Sequence, residues 1–196
     1  MTTSKTSSRM PNKAGGDAPM RILGIDPGYD RLGIAVIERS SRGPGKETLL
    51  YSDCFQTSSK ETIYARLTKV GEEIGRIIDT FEPNTVALET LFITKNQKTA
   101  MRVAEARGIL IYEATKRGIP VYEYSPMQIK LAVTGDGTSD KARVIKMIRM
   151  LIAMPNKTSV SAIKPEKMVV LDDEYDAVAV ALAHSALSNT RTISLS

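Results

Sequence analysis

The sequence predicts an α/β protein built on one mixed sheet with helices on both faces. Three observations carry that prediction. Three strand-like apolar runs follow one another between residues 20 and 55, before any helical pattern begins. Strand and helix then alternate, and two longer helices close the chain, giving five strands in the order β-β-β-α-β-α-β-α-α when the short helix directly after the fifth strand is left uncounted. A meander passing into strand–helix alternation folds as a mixed sheet whose crossovers place helices on its faces. At 196 residues, 42% of them hydrophobic, the chain can bury one substantial core and is short for two.

The first strand is Met20-Arg-Ile-Leu-Gly-Ile-Asp26, in which Ile22, Leu23 and Ile25 have central-strand character and Pro27-Gly28 supplies a turn. Apolar residues resume in Leu32-Gly-Ile-Ala-Val-Ile37, which folds back as a second strand. A turn region, Ser40-Ser-Arg-Gly-Pro-Gly45, leads to a third strand, Thr48 to Phe55. Ser58 and Glu61 have capping-box spacing, and Ile63, Leu67, Val70, Ile74, Ile77, Ile78 and Phe81 recur at helical intervals. Pro83-Asn84 ends that long amphipathic helix, and Val86-Ala-Leu-Glu-Thr-Leu91 forms the fourth strand. A second helix, Gln97 to Arg117, gathers Ala100, Val103, Ala104, Gly108, Ile111 and Ala114 on a small-residue face suited to close packing on sheet or partner, and Gly118 closes it.

Val121-Tyr-Glu-Tyr124 is the fifth strand, and Ser125-Pro126 reads as an N-cap with proline at the first helical position. A short helix to Val133 enters the loop Thr134-Gly-Asp-Gly-Thr-Ser139. A further helix from Asp140 to about Met154 presents Lys141, Arg143, Lys146 and Arg149 as a basic face. Residues 155–171 read as an irregular loop before a last helix from about Asp173 to Ser188.

Composition narrows the function. A formal charge of +5 suits an anionic partner such as nucleic acid. The one cysteine, Cys54, makes no internal disulfide and supports no metal site, so a reducing cytoplasm and a packed core thiol are expected. No run reaches the roughly 18 apolar residues of a membrane span, and no secretory signal is evident, so no membrane partner is expected. Residues 1–19, rich in Ser, Thr, Gly and Pro, read as a disordered tail, 20–190 as a single domain, and 191–196 as a short C-terminal tail.

The acids carry the chemistry. Asp26 in isolation reads as an Asx turn. In a mixed sheet of this order the ends of strands one and four can lie side by side, bringing Asp26 near Glu89, an acid that interrupts an apolar strand. Asp173 and Asp176, at i and i+3, project from one side of the last helix's first turn, where plain N-terminal capping is the alternative. Mg²⁺ takes carboxylate and water oxygens, so three or four acids converging on a cleft suit it better than a His/Cys set.

MRILGIDPGYDRLGIAVIE, ALETLFITKN, AEARG, PVYEYSPMQIKLAVTGDGTSDKARV and LDDEYDAVAVALAH, in this order and spacing, resemble the RuvC-type Holliday junction resolvases. The resemblance covers about residues 20–153 and 171–187. It implies an RNase H-like fold, a homodimer, and symmetric cleavage of four-way DNA junctions with two Mg²⁺ per site, Mn²⁺ substituting. It implies that Asp26, Glu89, Asp173 and Asp176 are the catalytic, metal-binding acids. Phe92 matches the aromatic inserted at an opened junction centre, and Lys95, Lys130 and Lys141 match basic positions used along DNA. It leaves open a complex with a branch-migration helicase. Residues 155–171 look longer than the usual family connection. His184, two turns or more from Asp176, reads as structural. Two readings compete: a YqgF-like RNase H-fold nuclease acting on RNA, which lacks the LFITKN segment, and a catalytically inert junction-binding protein, which needs no separated acids.

Overall fold

The computed structural model describes residues 19–39, 47–90, 97–153 and 172–192. The elements are β1 (Met20–Asp26), β2 (Arg31–Arg39), β3 (Glu47–Gln56), α1 (Ile63–Phe81), β4 (Thr85–Glu89), α2 (Gln97–Thr115), β5 (Val121–Tyr124), α3 (Pro126–Thr134), α4 (Lys141–Leu151), β6 (Ile152–Ala153) and α5 (Asp172–Thr192). They form one sheet in the order β5-β4-β1-β2-β3-β6. The meander β1–β2–β3 is antiparallel, while β4 and β5 add in parallel beside β1.

All five expected strands are present. The two-residue β6 was not expected. It takes the last residues assigned to the basic helix, which stops at Leu151, and pairs them in parallel with the start of β3. The tail as far as residue 18, the Leu91–Asn96 segment with Phe92 and Lys95, the 155–171 loop and residues 193–196 lie outside the described residues.

Side chains alternate across a strand, so β1 feeds two cores. Leu23 and Ile25 join Ile34, Val36, Val86 and Leu88 against Val70, Ile74, Ile77 and Leu110 of α1 and α2. Ile22 joins Ala35, Ile37 and Ala87 against α3, α4 and the Ala177–Ala183 run of α5. Asp26 continues the Ile22 and Gly24 parity, and Glu89 continues that of Ala87. Both acids therefore point to the α5 face.

Gly24 and Gly33 let α5 dock closely. A Cβ on Gly24 would lie 2.4 Å from the Ala177 carbonyl oxygen, and one on Gly33 would lie 2.3 Å from that of Asp173. These are strand glycines of the kind that mark close backbone approach.

Two local expectations fail. The α1 cap is not Ser58 with Glu61. Thr62 is the N-cap, its hydroxyl accepting from the Ala65 amide, while the Ser58 hydroxyl accepts from Lys60 in a turn and Glu61 pairs with Lys69. Spacing alone could not choose between two hydroxyls four residues apart. The small-residue face of α2 also divides: Ala100 and Ala114 are buried with Ala106 and Leu110, whereas Ala104 and Gly108 are exposed beside Met101 and Tyr112. At α3 the expectation holds, with Ser125 and Gln128 forming a reciprocal capping box and Pro126 in the first turn. Among the described residues no helix is long and apolar enough to cross a membrane.

Candidate active site

Four acids meet at one end of the sheet. Ile25 and Leu88 are register partners in the parallel β1–β4 ladder, so the next residue of each strand, Asp26 and Glu89, emerges at the same level. Asp26 pairs with Gly33, and the missing side chain there admits the first turn of α5, which delivers Asp173 and Asp176. Carboxylate oxygens of Asp26, Asp173 and Asp176 lie within 4.8 Å of one another. Glu89 adjoins them through a hydrogen bond with Asp26 and the field of Asp176.

The electrostatics show how concentrated the charge is. Burial, followed by the fields of Glu89, Asp176 and Asp173, pushes the Asp26 carboxyl up to about 7. Burial and then Asp176 raise Glu89 above its ordinary value, while the Asp26 hydrogen bond and Lys130 act against that rise. A buried carboxyl surrounded by three others favours its neutral form unless a cation is near. The donors are all hard oxygens, and their spacing fits a divalent cation coordinated by carboxylates.

Two cations border the cluster. Lys141 Nζ lies 3.1 Å from Asp176 and 3.5 Å from Asp172. The resemblance put Lys141 along DNA, and its place at the N-terminus of α4 brings it to the acids themselves. Arg31, at the start of β2, places Nε 2.6 Å and Nη2 2.5 Å from Asp173 Oδ2. Cys54 Sγ, 3.1 Å from the same oxygen, donates to it as well. Cys54 is buried as expected, yet it is not simply a core thiol, because β3 presents it to the acidic site.

Neighbouring groups fix the frame. Glu174, buried in the first turn of α5, accepts from the Ser52 hydroxyl at 2.9 Å and ties the helix to β3. Arg66 of α1, also buried, donates from Nε to Thr57 Oγ1 at 2.8 Å, pairs with Asp30, and stacks 4.7 Å from the Tyr29 ring centre. The turn following Asp26 is thereby held from below. His184 is buried on α5 with Nδ1 2.7 Å from the Tyr124 hydroxyl and its ring against Tyr122, the structural role expected of it.

Sequence reasoning missed Arg31, Gly33, Ser52 and the exposure of Cys54 to the site. Gly24 and Gly33 carried a usable signal, since glycine inside an apolar strand marks close backbone approach. The other three depend on which helix covers the sheet end, and no local pattern encodes that.

A mixed sheet with acids at adjacent central-strand ends and on the docking helix defines a nuclease of the RNase H-like class. A family model described as Crossover junction endodeoxyribonuclease RuvC matches residues 22–184. The RuvC crossover junction endodeoxyribonuclease of Thermosipho melanesiensis is 38% identical over 162 residues, 83% of this chain and 94% of its own. That of Pseudothermotoga lettingae is 39% identical over 170 residues, 87% of this chain and 96% of its own. The structure of T. thermophilus RuvC in complex with a Holliday junction substrate superposes with a TM-score of 0.75 at 30% identity, covering 88% of this chain and 97% of that one. The yeast mitochondrial Holliday junction resolvase shares the fold, with a TM-score of 0.63 at 15% identity over 89% of this chain and 82% of its own. This chain belongs to the RuvC family of crossover junction endodeoxyribonucleases.

Proposed function

We propose that this chain resolves four-way DNA junctions by paired symmetric nicks in recombination and repair, as a cytoplasmic homodimer. The convergence of Asp26, Glu89, Asp173 and Asp176 at one sheet end is the observation that carries this reading. In the proposed division of roles Asp26 would be the central ligand holding Mg²⁺. Glu89 and Asp176 flank it, and Asp173 serves as a further ligand or orients the attacking water. A bound pair of Mg²⁺ or Mn²⁺ ions would activate that water and stabilise the leaving 3′-oxygen of an in-line displacement. The protein itself contributes position: strand ends fix Asp26 and Glu89, and the α5 dock fixes the other two. No side-chain nucleophile is required.

Substrate binding is supported by charge. Lys130 acts on Glu89 from α3, and Lys141 borders Asp176, so basic groups stand where a scissile phosphate would approach. Phe92 and Lys95, in the segment following β4, are proposed as the junction-opening aromatic and an adjoining DNA contact. Base stacking on Phe92 would contribute about 1–3 kcal/mol.

Two related strands must be cut, and one site cuts one strand at a time. A twofold dimer supplies the second site. The exposed strip Met101, Ala104, Gly108 and Tyr112 of α2 is the proposed contact. A branch-migration helicase would act on the same junction.

Incubation with a four-way junction, a linear duplex and an RNA–DNA hybrid, each with Mg²⁺ or EDTA, tests the reading. Paired nicks in the junction, dependent on Mg²⁺ and absent in Asp26→Asn, are expected. Preferential cutting of the hybrid would favour the RNA-directed reading, and junction binding without cutting would favour the architectural one.

A further inference from the structure

Asp173 belongs to the acidic cluster, yet its Oδ2 is already held by three donors: Arg31 Nε at 2.6 Å, Arg31 Nη2 at 2.5 Å and Cys54 Sγ at 3.1 Å. One carboxylate thus faces two claimants, the guanidinium on β2 and whatever cation the cluster collects. We infer that Arg31 is a phosphate contact released by cation binding: a divalent ion at Asp26, Asp173 and Asp176 competes with Arg31 for Asp173, and the displaced guanidinium turns to a DNA backbone phosphate.

The placement supports each part. Arg31 opens β2 two residues before Gly33, so it shares the strand face on which Gly33 makes room for Asp173. Its side chain is 51% exposed, with the reach and freedom to leave, whereas Asp173 is only 26% exposed and fixed in the first turn of α5. Among the described residues, the groups facing the guanidinium are Asp173 and Cys54. Cys54 stays to hold the Asp173 oxygen after Arg31 departs, because it is buried in β3. A divalent ion among carboxylate oxygens spaced within 4.8 Å would sit beside the guanidinium, and like charges at that range repel strongly in a partly buried site. Guanidinium is well suited to phosphate, which it binds with two donors. The arrangement couples the two steps: DNA gains a contact when the metal is in place.

This inference rests on the junction-cutting reading, and its test separates the two. Binding of a labelled four-way junction is measured against monovalent salt, once in EDTA and once in Ca²⁺ with strand integrity checked on denaturing gels, for the wild type, Arg31→Gln and Arg31→Lys. Binding of Mn²⁺ alone is followed by electron paramagnetic resonance, and thermal melts confirm folding. In Ca²⁺ the slope of log affinity against log salt should be shallower in Arg31→Gln by about one per site, the value of one lost phosphate contact. In EDTA the two slopes should coincide. Arg31→Lys should recover the wild-type slope, and Arg31→Gln should bind Mn²⁺ at least threefold tighter than the wild type. Equal slopes in Ca²⁺, an equal slope loss in EDTA, or weaker Mn²⁺ binding by Arg31→Gln would overturn the inference while leaving the junction-cutting reading intact. Failure of the wild type to bind the junction would instead remove that reading.

Discussion

Asp26 illustrates the cost a cluster of buried acids places on its own fold. Its carboxyl is pushed up to about 7, chiefly by burial and then by three neighbouring acids, against an ordinary value of 3.8. Between those values the folded protein holds a proton that the unfolded chain has released. Stability without divalent cations therefore falls as pH rises through that window, by ~1.4 kcal/mol for each pH step of one, and the full penalty stands above about 7. Asp26→Asn removes the penalty. In EDTA at pH 8 the variant should melt about 5 °C or more above the wild type, with the gap closing below pH 4; equal melting at both pH values would show the site is not strained by charge. His184 acts in the opposite sense. Burial holds its imidazole down at about 4, so stability is lost as pH falls from its ordinary 6.5 toward 4. In a folded sample its ring protons should titrate near or below pH 4 by NMR, and titration near 6.5 would show that the ring is solvated. Sequence alone made Asp26 visible as an acid at a strand end. Its raised affinity for protons was not visible, because that depends on Glu89, Asp173 and Asp176 lying far along the chain.

At the scale of elements, the dock between α5 and the β1–β2 ladder decides whether there is a site. Gly33→Ala would drive a methyl to within 2.3 Å of the Asp173 carbonyl oxygen and displace the first turn of α5. Overpacking of this kind typically costs about 1–3 kcal/mol. The variant should remain folded by circular dichroism yet cleave a four-way junction at least tenfold more slowly; wild-type cleavage would show that the close approach is dispensable. Strands and helices were largely legible, because β1 to β4 carry runs of apolar residues and α1 carries a 3.6-residue period. Caps and ends were not. Thr62 displaced Ser58 as the α1 cap, and the residues after Leu151 left α4 for the sheet because β3 offers Glu47 and Thr48 an unpaired edge. On α2 the small residues looked like one face, but the core shared with α1 and the sheet takes Leu110 and Ala114, while Ala104 and Gly108 are left exposed.

For the whole molecule, symmetric cutting requires a second site, and the α2 strip is where it would be joined. Gly108→Arg should convert a dimer into a monomer in sedimentation at micromolar concentration while leaving the fold intact, since a Cβ on Gly108 meets nothing within 4 Å in the described structure. Unchanged sedimentation would place the contact elsewhere. The global architecture was readable from element order because a meander followed by alternation leaves few arrangements. The nearness of Asp26 and Glu89 followed from that order once β1 and β4 were neighbours, whereas the approach of Asp173 and Asp176 was implied only by the family resemblance, and the placement of the rim cations Arg31 and Lys141 required the folded chain. The four acids are proposed to form one divalent-cation site that performs the cutting. Anomalous diffraction from crystals soaked in Mn²⁺ addresses it directly. Density bounded by Asp26, Glu89, Asp173 and Asp176, lost in Asp26→Asn together with junction cleavage, is the predicted result. Mn²⁺ bound elsewhere, or full cleavage by Asp26→Asn, would contradict it.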